Sequence, residues 1–328
     1  MKAIVVKNKR LIAEDIPKPV LDKKGALIRV LGCGLCGSDI VKFKHNLVKD
    51  GTVLGHEVVG EIAEINVESD LKVGDKVAVA HHYPCFECNF CRHGNYSMCA
   101  VFKNSNITPG GFCEYITVDE NHLKYTVFKI PDDLSLAEAS FTEPVACCVR
   151  AVRRADFLKG DKAAVVGLGS IGVLMGQTAK VFGAKVVGLD IREDRLEIAK
   201  QHGFDEVINS LSFDEELKAD VVFLTSGADA TVDLALKCVR NGGKIIVFAS
   251  VNDDKTAFSN NEIYYRELTV LGSYSPGPED LKLAFEMIKD KKILVKSLSC
   301  VYNLLELEHA LKDTLDNRIL KAFVRVSE

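Results

Sequence analysis

Between His81 and Cys99 the chain reads HHYPCFECNFCRHGNYSMC, four cysteines and three histidines in nineteen residues. Cys85, Cys88, Cys91 and Cys99 follow the spacing C-x2-C-x2-C-x7-C. Turns this tight let successive thiolates converge on one point, as a tetrahedral zinc site requires. With every position filled by thiolate, neither water nor substrate reaches such an ion, so it would hold a loop together and do no chemistry. Four unconnected thiols are a poorer explanation, because free cysteine prefers apolar surroundings and this stretch is polar. An iron–sulfur cluster is a further alternative, since clustered cysteines also serve iron. His81, His82 and His93 read as loop histidines making local hydrogen bonds, not as ligands of the same metal.

A second constellation is spread more widely. Cys36 lies in CGSD, His56 and Glu57 are adjacent in GHE, and Glu143 follows in TEPVACC. Thiolate, imidazole and carboxylate make a three-ligand site with one open position, the arrangement of a catalytic zinc. Taken alone these residues have a commoner explanation, a buried cysteine beside a satisfied core histidine.

The second half carries a different signal, AAVVGLGSIGVLMGQTAKVFGAKVVGLD. An apolar strand runs into Gly167, Gly169 and Gly172 in G-x-G-x-x-G spacing, and Ser170 and Ile171 complete the turn into a helix. Gly167 permits the tight turn, Gly169 lets backbone approach a pyrophosphate, and Gly172 lets helix pack closely on strand. The helix start then faces the phosphates with free N–H groups and the positive end of its dipole. A second strand ends at Asp190, eighteen residues past Gly172, where a carboxylate accepts the ribose hydroxyls of NAD and repels the extra phosphate of NADP. Arg192 stands close enough to accommodate that phosphate; its blander role is a solvated charge over the adenine. NAD is the favoured cofactor.

These residues need elements to hold them. At 328 residues the chain is about twice the length of an average domain, so two lobes are expected. Up to about Gly60 it reads as short strands with glycine punctuation, KAIVV, GALIRVLGCGLCGSD and GHEVVGEIAEI, a β-rich barrel-like region. In the second half DEVINS, ADVVFLTSG, GGKIIVFAS and ELTVLGSYS, separated by helical stretches, add four strands to the two around the glycine turn. That predicts a six-stranded, doubly wound parallel sheet, and an α/β protein. Ser135 with Glu138 three residues on predicts a capping box opening a helix. Cys33, Cys113, Cys147, Cys148, Cys238 and Cys300 are expected to pack as small hydrophobes. A net charge of -4 gives no reason to expect nucleic acid or a membrane as partner, and points to small molecules. The longest apolar run at the N-terminus is Ala3 to Val6, too short for a signal segment, so a reducing cytoplasm is expected and disulfides are not.

In the order CGSD, GHE, four-cysteine lobe, GGFCEY, TEP and VGLGSIG, the chain resembles the zinc-dependent medium-chain dehydrogenase/reductase family along essentially its whole length. Glutamate at Glu143 resembles the polyol (sorbitol-like) and threonine dehydrogenase branch. The resemblance implies a GroES-like catalytic domain, residues 1–145 plus 276–328 with a structural zinc lobe at about 81–100, split by a Rossmann NAD-binding domain at 146–275. It implies two zinc ions per chain. Cys36, His56 and Glu57 would hold the catalytic one, Glu143 would be an outer or exchanging ligand, Asp39 would orient the ligand histidine and Ser38 would pass the substrate proton outward. An N-cap serine is the competing role for Ser38. The implied activity is hydride transfer between NAD and a secondary alcohol/ketone pair, a polyol or sugar derivative, in a homodimer or homotetramer. An L-threonine-type amino alcohol and a sugar-alcohol phosphate are alternative substrates, and a non-catalytic nucleotide-binding scaffold is the alternative of a different class. Two departures stand out. Where many relatives carry a proton-relay histidine five residues after the ligand cysteine, this chain has Val41, leaving His45 as the nearest candidate. The stretch from Asp39 to Gly55 looks short and carries Lys42, Lys44, His45 and Lys49, a solvated face or a receptor for an anionic substrate.

Overall fold

A computed structural model describes residues 1–228, 230–249 and 258–327. It divides into two compact units, Met1–Glu143 with Pro276–Asp290 and Val295–Glu328, and Pro144–Ser275 with Lys291–Leu294.

The first unit is built on a seven-stranded sheet around the strand Gly25–Gly34. That strand pairs antiparallel with Glu57–Ile65, Tyr115–Asp119 and Lys321–Arg325. Its inward side chains, with those of its partners, form an apolar core that includes Ala26, Ile28, Val30, Ile62, Val77, Phe112 and Ile116. Register does the positioning. Gly34 lies opposite Glu57 on one side and Phe323 on the other, so the end of this strand, the start of the second and the residues just before Phe323 meet at one edge. A Cβ at position 34 would stand 2.0 Å from Glu57 Oε2, so glycine there leaves that carboxylate its place. Two residues later the chain turns into the helix Gly37–Lys44 with Cys36 at its cap.

In the second unit six strands lie in the order Glu206–Asn209, Lys185–Asp190, Lys162–Val166, Ala219–Leu224, Val239–Val247 and Thr269–Gly272, each parallel to its neighbours. The central strands are buried on both faces, which is why they read as continuous apolar runs. Ser250, the last residue of GGKIIVFAS, lies outside the described residues. The order reverses between Lys162–Val166 and Ala219–Leu224, and in sheets of this kind ligands bind beyond the carboxyl ends of the strands at that reversal. Gly167 begins there.

Of two local expectations, the capping box at Ser135 is present and the packing of Cys300 is not. Ser135 does cap a helix, with Glu138 N–H donating to its hydroxyl, but that helix is only Leu136–Ala139 and a separate one, Thr142–Ala155, carries Glu143 in its first turn. Cys300 is exposed instead of packed, because it sits on the strand Ser299–Asn303 at the sheet's edge. Among the described residues no helix is long and apolar enough to cross a membrane.

Candidate metal centres and cofactor site

Cys36 is the N-cap of the helix Gly37–Lys44, and its sulfur accepts from Ser38 N at 3.5 Å and Ser38 Oγ at 3.3 Å. Ser38 is therefore not the cap; it lies inside the first turn with its hydroxyl on the thiol sulfur. The thiolate is the form of cysteine that binds metal. Asp39, at the third helical position, reaches back to Cys36 N at 3.4 Å and so closes a capping box. Its other oxygen stands 3.3 Å from His56 Nδ1 and accepts from Gly55 N at 3.4 Å. Such a carboxylate fixes the imidazole tautomer and leaves Nε2 for a metal. Burial pushes Asp39 towards its neutral form, but the charge and hydrogen bond of His56 outweigh it and hold the pKa below the usual carboxylate range. Burial likewise disfavours protonated His56, and the negative charges of Asp39 and Cys36 overcome it, raising the imidazole well above its ordinary value in the metal-free protein. The pocket is built to hold positive charge.

Donor atoms of Cys36, His56 and Glu57 all lie within 4.8 Å of one another. Glu143 falls outside that set. Glu57 Oε1 accepts from Lys321 Nζ at 2.5 Å, while Glu57 Oε2 is buried with no hydrogen-bond partner. A buried carboxylate oxygen left unmatched is costly, and a cation held by Cys36, His56 and Glu57 removes the deficit. These residues fit a zinc ion. Burial presses Lys321 towards neutrality, but the charges of Glu57, Cys36 and Glu143 outweigh it and raise its pKa. Breaking a buried pair strands a charge, at a cost of about 3–5 kcal/mol. Lys321→Met is accordingly expected to lower the unfolding free energy of the metal-free protein by about 3 kcal/mol in urea, and Lys321→Met/Glu57→Gln to recover most of that. Additive losses would show that the two side chains do not depend on one another.

In the lobe, neighbouring sulfurs are separated by 3.9 Å (Cys85–Cys91), 3.5 Å (Cys88–Cys91) and 3.5 Å (Cys85–Cys99). Four thiolates around one zinc at ~2.3 Å stand about 3.8 Å apart, so the set fits a single tetrahedral ion. An iron–sulfur cage would spread them further. Cys85 N and Cys88 N donate to sulfurs within the group, at 3.4 Å each.

The cofactor turn divides its labour among the glycines. Gly167 has φ +93°, a left-handed conformation. A Cβ on Gly172 would stand 1.9 Å from the Gly167 carbonyl oxygen, whereas one on Gly169 would meet open space. The helix Ser170–Val181 starts behind Gly169 with no side-chain cap, which leaves its first N–H groups available to phosphate. Ser170 and Ile171 form its first turn. Asp190 accepts from Leu168 N at 2.7 Å and Arg192 N at 3.0 Å, which clamps the carboxylate beside the glycine turn. Each of its oxygens retains capacity to accept a ribose hydroxyl. Arg192 is exposed and bound to Asp194 by two bonds, at 2.9 and 2.8 Å.

Three residues escaped the sequence reading. Lys321 opens an apolar strand 264 positions from Glu57, with no local signal of the pairing. Thr225 locks the glycine turn, its hydroxyl 2.6 Å from the Gly167 carbonyl. His81 was grouped with histidines making local hydrogen bonds; His82 and His93 do so, to the carbonyls of Ser105 and Asn89, but the His81 ring makes none and packs against His56 instead. His45 is the exposed C-cap of the helix Gly37–Lys44, and Val41 is exposed on the same helix.

Comparison with known proteins follows the same division. The profile of the alcohol dehydrogenase GroES-like domain matches residues 22–132, and that of zinc-binding dehydrogenases matches residues 170–290. Sorbitol dehydrogenase of Bacillus subtilis is 32% identical, over 99% of this chain and 97% of its own length. The chain belongs to the zinc-dependent alcohol dehydrogenase family. A probable D-xylulose reductase A of Aspergillus clavatus is 30% identical over 95% of this chain and 92% of its own. Acetophenone reductase from Geotrichum candidum, solved in complex with NAD, superposes with a TM-score of 0.89 at 26% identity, covering 99% of this chain and 97% of that one. The protein is thus an oxidoreductase acting on a small molecule.

Proposed function

We propose that the protein is an NAD-dependent dehydrogenase that oxidises a secondary hydroxyl of a polyol, or reduces the matching ketose, with one catalytic and one structural zinc per chain. The observation that carries this is the convergence of Cys36, His56 and the unmatched oxygen of Glu57 on one point. The polyol assignment is supported by relatives named for sorbitol and D-xylulose.

Zinc, when bound, supplies a Lewis acid that lowers the pKa of a hydroxyl, and NAD supplies the hydride acceptor. Asp39 holds His56 in one tautomer and orientation. Ser38, exposed and already in contact with the Cys36 sulfur, is placed to take the hydroxyl proton and pass it to solvent. Lys321 steadies Glu57 and keeps its charge from costing the fold. Gly169 and the start of the helix Ser170–Val181 receive the pyrophosphate, and Asp190 selects the ribose diol. Asp190→Ser is expected to cut kcat/KM for NAD about tenfold while raising that for NADP, because a charge that repels phosphate is gone; an unchanged cofactor ratio would remove Asp190 from that role.

We assign the enzyme to the cytoplasm, where its eleven cysteines would stay reduced, and to a homo-oligomer, which sedimentation tests directly. The test of the whole reading is NAD and NADP reduction by zinc-loaded protein across polyols, sugar-alcohol phosphates, simple secondary alcohols and L-threonine, with zinc counted on the same sample. Turnover of polyols with two zincs per chain is expected. Silence with one zinc would overturn the assignment of Cys36, His56 and Glu57.

A further inference from the structure

We propose that Asp194 sets the cofactor preference by holding the Arg192 guanidinium away from a 2′-phosphate, so that the chain rejects NADP twice, by the charge of Asp190 and by withholding the cation that would bind the phosphate. The inference rests on the NAD reading above and deepens it, naming the residue that decides what Arg192 does.

The strand Lys185–Asp190 ends at the carboxylate assigned to the ribose, and Arg192 follows two residues later with its backbone N–H on Asp190 Oδ1 at 3.0 Å. A phosphate on the ribose 2′ oxygen would arrive beside Asp190, and an arginine this close is the group that accommodates it. Here the guanidinium is already taken. Its Nε donates to Asp194 Oδ1 at 2.9 Å and its Nη2 to Asp194 Oδ2 at 2.8 Å, a fork of donors that suits phosphate as well as it suits carboxylate. The hydrogen bond from Arg192 holds the Asp194 pKa below the usual carboxylate range. Both partners are therefore charged at neutral pH, and the carboxylate offsets the cation's field.

The surroundings add to the exclusion. Arg192 is the N-cap residue of the helix Glu193–Gln201, makes no side-chain cap bond there, and is followed by Glu193 and Asp194 in the first turn. Glu193 is tied by Asn209 Nδ2, at the end of the neighbouring parallel strand Glu206–Asn209. Two carboxylates thus occupy the helix end to which free N–H groups and the dipole would otherwise draw a phosphate. A second cation is drawn the same way, with Arg195 Nε 3.8 Å from Asp194 Oδ2. The pair of Arg192 and Asp194 does little for the fold, because both side chains are about half exposed and ion pairs of that kind contribute little to stability. Its effect falls on the ligand that approaches Arg192.

The test is equilibrium titration of NADH and NADPH into wild type, Asp194→Ala, Asp194→Asn and Arg192→Ala/Asp194→Ala, followed by the fluorescence of the reduced nicotinamide, with no substrate present. In Asp194→Ala the ratio of the Kd for NADPH to that for NADH is expected to fall about tenfold, as Arg192 is released to the phosphate. Asp194→Asn, which keeps the shape and loses the charge, is expected to give part of that gain. The double variant is expected to lose most of it, because the arginine that would bind the phosphate is gone. High salt is expected to shrink the gain, as for any exposed charge pair. NADH binding by the variants shows that their fold and glycine turn are intact. An unchanged ratio in Asp194→Ala, or a gain as large in the double variant, overturns the role of Asp194 alone. A wild type that binds NADPH as tightly as NADH, or binds neither, overturns the NAD reading and this inference with it.

Discussion

Replacing His56 by alanine is expected to reduce turnover about a thousandfold and to remove one of two zinc equivalents, while the four-cysteine lobe keeps its own. The magnitude follows from losing the several kcal/mol that a Lewis acid contributes to a charge-developing step. His56 is buried, its Nδ1 stands 3.3 Å from Asp39 Oδ1, and the residue belongs to the group of donors shared with Cys36 and Glu57. Asp39→Asn keeps the shape and removes the charge that orients the ring, so it is expected to weaken zinc binding or activity by a smaller factor, about 10- to 100-fold. Steady-state kinetics and metal analysis on the same preparations decide the matter. A His56→Ala protein that keeps two zincs and a tenth of wild-type turnover would show that the metal is held elsewhere.

The sequence makes some of this architecture legible and hides the rest, for physical reasons. Parallel strands buried on both faces appear as apolar runs, so the strands around Gly167 and Asp190 can be read directly, and the glycine spacing is local enough to identify a turn. The cysteines of the lobe lie within fifteen residues, close enough for spacing to speak of convergence. Cys36 and His56 are twenty residues apart, and what unites them is the antiparallel register of Gly34 opposite Glu57, which no local pattern encodes. Lys321 is further removed still. A lysine at the start of an apolar strand looks like a solvated end, and only the pairing of Lys321–Arg325 beside Gly25–Gly34 buries it against Glu57. For Ser38 the competing role of a serine cap was open in the sequence, and the structure closes it: the thiol of Cys36 caps the helix and the Ser38 hydroxyl donates to that sulfur. His81 is the sharpest case, because neighbouring histidines of the same type and exposure part company according to which carbonyl each can reach.

Cys91→Ser is expected to release the structural zinc and unfold the lobe while the sheet that carries Cys36 and His56 stays folded. The lobe's own buried apolar residues are Cys91, Cys99 and Phe102, with Tyr96 packed alongside, far too few to hold a fold without a metal. Structural zinc in small folds contributes about 10–16 kcal/mol of apparent binding energy, so its loss is decisive locally. Limited proteolysis between Phe86 and Met98 reads the unfolding directly, and a lobe as resistant as wild type would show that packing alone sustains it. Acid should act in the same direction. Burial and the neighbouring thiols push Cys91 up to about 12, whereas Cys99, also opposed by burial, is brought to about 6 by the N–H groups of Cys85 and Phe102. At neutral pH the metal-free lobe therefore keeps a proton on Cys91 that zinc must displace, and below about pH 6 it must displace one from Cys99 as well. Zinc affinity is expected to rise with pH and to fall more steeply below pH 6, as measured by chelator competition; an affinity flat across that range would mean the thiols are already ionised.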